Sequence, residues 1–411
     1  MIWRPFTQEK TAPPPTKIIK GEGTYLLAEN GEKYLDMISS WFVNVHGHAN
    51  QEIAEAIGRQ AKTLEHVIFT KFSHDPAEKL INELEQVVPQ KLNRYFFSDN
   101  GSTAVEVALK IAYQYFKNIG ETDRSIFLSL EGGYHGDTFG AMSAAGVNSK
   151  YHATFSELFF KTIMIDVPEY YDGAASMEEK ENEIIGRLEK ILQEIGNKIC
   201  VLILEPLLQG SFGMRLYISK FLEKLVNKVR EYGILVIFDE VMTGFYRTGK
   251  MFAMDHTNVL PDFICLSKGL TGGFLPLALT VTSEKIYDAF LSEDRKKTFL
   301  HGHSYTANPI ACAAACKSLE ILRRKETIAK IKEITEFHKS HVIFNALKRR
   351  SIGIVTAFDV ESEEKANFMI DKAWENGIFL RPLGRTVYLF PPYCVSNDDL
   401  LRTYEVINRY L

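Results

Sequence analysis

The sequence predicts an α/β fold: a large domain with a mostly parallel sheet flanked by helices, plus a smaller α+β domain formed by both ends of the chain. Three observations carry this. Between about residues 93 and 285, short β-rich apolar runs alternate with helical stretches. Several of those runs are apolar on successive residues, the pattern of strands buried on both faces of a parallel sheet. The chain on either side of this block mixes hairpin and helix signals without the alternation.

Taken in order, the first fifteen residues end in Pro13-Pro14-Pro15 and read as an extended arm. TYLLAENGEKYLDM, residues 24–37, reads as a hairpin closed by a type I′ turn at Asn30-Gly31. Helical periodicity dominates from about 50 to 90. The strand candidates are then RYFF (94–97), SIFLSL (125–130), TIMIDV (162–167), ICVLILEP (199–206), GILVIFDE (233–240), DFICLS (262–267) and LALTVT (277–282). Helix returns from about 308, followed by short strands near 352–360 and 378–390 and a last helix after Ser396. The expected boundaries are 1–48 for the arm and the first part of the small domain, 49–300 for the large domain, and 301–411 for the rest of the small one.

Composition narrows the function. With 411 residues, 45% hydrophobic and 24% charged, the chain is an ordinary globular one, which disfavours disorder, collagen-like repeats and disulfide scaffolds. Its 48 basic and 52 acidic residues form no long blocks, so neither a nucleic-acid stripe nor a polycationic membrane patch is expected. Five cysteines at irregular spacing complete no zinc pattern and read as reduced thiols, so no metal is expected. MIWRPFTQEKTAPPP lacks the apolar core of a secretory leader, and no apolar run approaches the ~20 residues of a membrane helix. A soluble cytoplasmic protein is the expectation.

In an open parallel sheet the ligand lies beyond the carboxyl ends of the strands. FFSDNGSTAVEVALKIAY ends a strand, turns through Asn100-Gly101 and opens a helix with an expected Thr103–Glu106 capping box. Free N–H groups near Gly101 and Ser102 at the positive end of that helix suit a phosphate. GILVIFDE delivers Asp239 and Glu240; DFICLSKG delivers Lys268; ICVLILEP delivers Glu205; SLEGGYHGDT delivers Tyr134, His135 and Asp137. Singly each has a structural explanation, as an ion pair, a core ring or a cap. Jointly, a phosphate cradle, an aromatic ring, a buried acid and a lysine are the requirements of pyridoxal 5′-phosphate (PLP). The lysine binds its aldehyde and the acid keeps its ring nitrogen protonated. GFYRTGK (244–250) satisfies only the first part of a nucleotide loop, because Met251 stands where magnesium needs a hydroxyl. Gly21-Glu22-Gly23 lacks the third glycine and the helix of a dinucleotide fingerprint.

At these residues the sequence resembles the class III, fold-type I PLP aminotransferases, over almost its whole length. VLILEPLLQGSFGM, VIFDEVMTGFYRTGKMFA and PDFICLSKGLTGGFLPLA are similar to that family's signature block. Trp3-Arg4-Pro5-Phe6-Thr7-Gln8, Ser39-Ser40-Trp41-Phe42, His301-Gly302-His303-Ser304-Tyr305 and Arg381-Pro382-Leu383 are similar to the branch that aminates 8-amino-7-oxononanoate in biotin biosynthesis. The resemblance implies that Lys268 holds PLP and shuttles the proton, Asp239 pairs with the pyridine nitrogen, Tyr134 stacks on the ring, and Gly101 with Ser102 holds the phosphate. It implies a homodimer with shared active sites, in which Ser304, beside His303, completes the cofactor site across the interface. It further implies substrate contacts from Phe6, Trp41, Tyr134, Lys268, Gly302 and Arg381, the last binding the carboxylate as a planar guanidinium can and a lysine cannot. Arg385 is the rival for that task. Many members carry tyrosine where Phe6 stands, proline where His303 stands, and threonine where Ser304 stands. Those departures leave two amino donors open, S-adenosylmethionine and lysine.

Rival readings share parts of this site. Another class III aminotransferase acting on 4-aminobutyrate, ornithine or a putrescine-like diamine would keep Lys268 and Asp239 without needing the WRPFTQ and SSWF stretches. A mutase or decarboxylase on the same scaffold lacks a reason for those stretches. A non-enzymatic PLP-binding protein lacks a reason for an intact Lys268, Asp239 and Tyr134.

Overall fold

The computed structural model describes residues 2–146 and 152–411. All seven expected runs enter one seven-stranded sheet, in the spatial order Arg94–Ser98, Ala278–Thr282, Phe263–Leu266, Leu235–Asp239, Ile199–Leu204, Ile126–Leu130, Thr162–Ile165. The five from Phe263–Leu266 to Thr162–Ile165 run parallel to one another. Ala278–Thr282 runs antiparallel to the strands on both of its sides. The central strands are buried at every residue, which is why their sequences do not alternate.

Helices cover both faces. Gly101–Asn118 lays Val105, Ala108, Leu109 and Ala112 against the sheet, and all four are buried. On the other face Ser219–Arg230 turns Phe221, Leu222, Leu225, Val226 and Val229 inward. Pro309–Leu322 packs against Gln51–Ala61, Asp75–Leu84 and the turn that follows Lys268.

The two ends of the chain meet in a four-stranded sheet. Ile18–Glu22, Tyr25–Ala28 and Lys33–Asp36 form an antiparallel meander, and Ile378–Phe379 adds in parallel beside Lys33–Asp36. A three-stranded antiparallel sheet, Leu347–Ile352, Val355–Asp359 and Thr386–Leu389, and the helices Glu363–Glu375 and Asn397–Tyr410 complete this α+β part.

Two local expectations change. The hairpin turn is not type I′: of Asn30 and Gly31 only Gly31 has positive φ (88°), and its N–H bonds to the Ala28 carbonyl at 3.0 Å. A type I turn followed by a left-handed glycine uses one residue more than the two-residue loop, so the Asn-Gly pair is shifted within it. The capping box also moves. Asn100 is the cap, accepting from the Thr103 N–H at 3.1 Å while Thr103 Oγ1 accepts from the Asn100 N–H at 3.1 Å. Glu106 instead reaches across to the Gly140 and Ala141 N–H groups at 2.7 and 3.2 Å.

Candidate active site

Three adjacent strands bring three ionisable groups to one rim. Asp239 ends Leu235–Asp239, Lys268 follows Phe263–Leu266 on one side, and Glu205 follows Ile199–Leu204 on the other. All three line a cavity of about 700 Å³ beyond the carboxyl ends of the strands. Desolvation lowers the Lys268 pKa, with Asp239 and Glu205 opposing. Its backbone sits at φ 47°, the left-handed region that non-glycine residues avoid, and its Nζ lies 5.4 Å from the centre of the Phe42 ring. Asp239 is 4% exposed. One carboxylate oxygen accepts from His135 Nδ1 at 2.8 Å and the other from the Val241 N–H at 3.1 Å. The carboxylate can only accept, which places the imidazole proton on Nδ1.

The wall opposite is the start of the helix Gly101–Asn118. Its first two N–H groups, at Gly101 and Ser102, have no carbonyl four residues back, while the third is taken by Asn100. A Cβ on Gly101 would lie 2.6 Å from Val241 Cγ1, so only glycine lets the two segments approach. Gly136, at φ 118°, closes on Ser102 in the same way. Ser102 Oγ is fixed by Thr138, 2.8 Å from its Oγ1 and 3.1 Å from its N–H. A glycine-lined helix start, a buried acid and an amine below its ordinary pKa are together the donor set that a phosphorylated, aldehyde-bearing pyridine needs. The residues present fit PLP.

Tyr134, Trp41, Arg381 and Phe6, expected from the sequence to meet the substrate, line the same cavity. Tyr134 donates through its hydroxyl to Asp137 Oδ2 at 2.9 Å. Trp41 belongs to a strained stretch in which Ser39, Ser40 and Phe42 all have positive φ. Asp36 holds that stretch by accepting from the Ile38 and Ser40 N–H groups at 3.1 and 2.6 Å. The Arg381 guanidinium lies 4.4 Å from the centre of the Trp41 ring, and Phe6 folds in from the N-terminal arm, 5.7 Å from Trp41 between ring centres. Arg385 lines a different, neighbouring cavity and sits 3.3 Å from Asp359.

Gly302, His303 and Ser304 do not line this cavity; they form a surface loop of which His303 is only half-buried. Sequence reasoning gave no task to His135, to Phe42 beneath the lysine, or to Val241, which sets the approach to Gly101. Their one signal is position: His135 and Phe42 adjoin Tyr134 and Trp41, and Val241 lies two residues beyond Asp239. The described residues contain no group of His, Cys, Asp or Glu that would hold a metal, and no helix long and apolar enough to cross a membrane. The five cysteines are free thiols, four of them buried.

Residues 6–411 match the model of the class III aminotransferase family. The chain is 46% identical, over 99% of its length and 97% of the relative's, to the adenosylmethionine-8-amino-7-oxononanoate aminotransferase of Synechococcus elongatus. The crystal structure of the enzyme of that name from Methanocaldococcus jannaschii superposes with a TM-score of 0.90 at 34% identity, covering 99% of this chain and 97% of that one. An amine transaminase from an uncultivated Pseudomonas species, in its PLP-bound form, gives 0.89 at 28% identity over 100% and 98%. With the strand-end lysine, the acid beside it and the glycine-led helix in one cavity, the chain belongs to the class III aminotransferases.

Proposed function

We propose that this PLP-dependent aminotransferase transfers an amino group to the ketone of 8-amino-7-oxononanoate, giving 7,8-diaminononanoate, with S-adenosylmethionine as the donor. The observation that carries the reading is Arg381 stacked on Trp41 in the cavity that holds Lys268, a carboxylate anchor set apart from the reacting amine. Full-length similarity to relatives whose names carry this activity supports it.

PLP, when bound, supplies an electron-withdrawing ring that stabilises negative charge on the carbon losing a proton. The chain does the rest. Lys268 Nζ binds the cofactor and then moves a proton to and from the substrate carbon, a task its lowered pKa favours. Asp239, oriented by His135, holds a proton on the pyridine nitrogen. Gly101 and Ser102 bind the phosphate, and Tyr134 packs on the ring. Arg381 takes the substrate carboxylate in two parallel hydrogen bonds, with Trp41 and Phe6 covering the alkyl chain and excluding water. In the proposed homodimer with shared active sites Gly302, His303 and Ser304 serve the partner's site, a reading supported by their lying outside the cavity of their own chain.

The test is a half-reaction. PLP-loaded protein is mixed with 7,8-diaminononanoate, with 4-aminobutyrate and ornithine as controls, while the visible absorbance of the bound cofactor is followed. Selective bleaching by the diamine is the expected result. Bleaching by 4-aminobutyrate or ornithine but not by the diamine would move the substrate to another ω-amine. S-Adenosylmethionine and lysine, tried as separate donors, identify the amine source.

A further inference from the structure

Four carboxylates line the cavity, and three already serve side chains. Asp99 Oδ1 accepts from Thr103 Oγ1 and Asn100 Nδ2, Asp137 accepts from Tyr134 Oη, and Asp239 accepts from His135. Among the described residues Glu205 has no side-chain donor. It is 4% exposed, and among those residues its two oxygens accept only the backbone N–H groups of Tyr134 and Gly210, each at 3.0 Å. A buried carboxylate without a cation is costly to keep ionised, and it draws whichever cation the cavity admits.

The proposed acceptor carries such a cation one bond from the reacting carbon, the ammonium on carbon 8 beside the ketone on carbon 7. Lys268, which must reach carbon 7, feels the charge of Glu205 across the same cavity. We propose that Glu205 is the counter-ion of that ammonium, and that it selects ketones bearing a neighbouring amine, and the corresponding vicinal diamine, over simple ketones and monoamines. The inference rests on the acceptor assignment above and adds a specificity-determining residue to it.

The electrostatics of the site agree. Burial pushes the Glu205 carboxyl up to about 7; Asp239 adds to this, while His135 and the two backbone N–H groups oppose it. The other titratable groups near it are Lys268 at the neighbouring strand end and Tyr217, whose hydroxyl bonds to the Glu205 carbonyl. An entering ammonium supplies the missing positive charge and holds the carboxylate ionised. As pH falls through about 7 the carboxyl takes up a proton and the recognition is lost.

The experiment compares two acceptors, 8-amino-7-oxononanoate and 7-oxononanoate, in single turnovers of enzyme reconstituted with pyridoxamine phosphate. At pH 7.5 the wild type should prefer the amino ketone by roughly ten- to a hundred-fold, the span of a hydrogen bond to a charged group. That preference should shrink as pH is lowered to 6. Glu205→Gln should show little preference at either pH, its loss of rate falling far more heavily on the amino ketone than on 7-oxononanoate. Equal losses on both acceptors would reduce Glu205 to a support for the Tyr134 turn and overturn the inference. A wild-type preference that does not change with pH would do the same, and that measurement needs no variant to fold. Turnover of neither acceptor by the wild type would overturn the acceptor assignment itself, and this inference with it.

Discussion

If, as proposed, Lys268 carries the chemistry and Arg381 the recognition, substitutions should separate the two. Lys268→Ala is expected to abolish multiple turnover with every donor, while PLP still binds noncovalently through the helix start and Asp239. Retained steady-state turnover would refute the role given to the lysine. Arg381→Ala removes a charged hydrogen-bond partner, so kcat/KM for the keto acid should fall by the equivalent of about 1.5–3 kcal/mol. Deamination of S-adenosylmethionine should change less, and Arg381→Lys should recover only part of the loss because an ammonium cannot make the paired contact. Losses of equal size in both half-reactions would count against the assignment. Asp239 and Lys268 were legible in the sequence because Asp239 ends one apolar run and Lys268 stands two residues past another, and in a parallel sheet such runs deliver the residues at their ends to the ligand. Choosing between Arg381 and Arg385 was not a matter the sequence could decide, since both lie in one short loop. Asp359, more than twenty positions earlier, separates them by drawing Arg385 into the other cavity. The same limit hid His135 as the partner of Asp239, a contact between segments far apart in the chain.

The elements around the site work through close approach of backbone. Gly101→Ala would push a Cβ into Val241 and open the helix start from the strand end that carries Asp239. PLP affinity should drop at least about tenfold, roughly 1.4 kcal/mol. Binding of pyridoxal without its phosphate should change far less, which absorbance titrations of both compounds would show; equal losses would point to general unfolding of the rim. Glu240, next to Asp239, is turned away from the cavity and accepts from the Ala253 and Met254 N–H groups at 3.0 and 2.8 Å. Burial pushes its carboxyl from an ordinary 4.5 up to about 7. Between those values the folded state binds more protons than the unfolded one, so this group's contribution to stability falls as pH rises from 4.5 to 7. Calorimetry of Glu240→Gln should therefore show its Tm gaining on the wild type between pH 5 and 8; a constant difference would refute the titration. Element types and their order could be read from periodicity alone. Caps and turns could not, because Asn100 and Thr103, or Thr103 and Glu106, satisfy the same short pattern, and only the reach of Glu106 to the Gly140 turn decides between them.

The whole molecule places a loop that the proposed chemistry needs outside the cavity of its own chain. If sites are shared in a dimer, mixing inactive Lys268→Ala with an inactive bulky variant, Ser304→Trp, and allowing subunits to exchange should restore activity, because each mixed dimer regains one intact site. No recovery, with exchange verified, would confine each site to one chain. The sheet was legible as a block of apolar runs, yet its one antiparallel strand was not, since alternation and burial are blind to chain direction. That strand has a consequence for how the protein is made. Arg94–Ser98, which leads into the turn at Asn100-Gly101, is an edge strand whose sheet partner among the described residues is Ala278–Thr282, so the edge of the sheet stays open while everything between is synthesised. Long-range pairing of this kind is slow and leaves an exposed strand edge meanwhile. On the ribosome the turn proposed to cradle the cofactor is written early and becomes usable late: on that assignment, the cofactor can be held only by a chain whose large sheet is already complete.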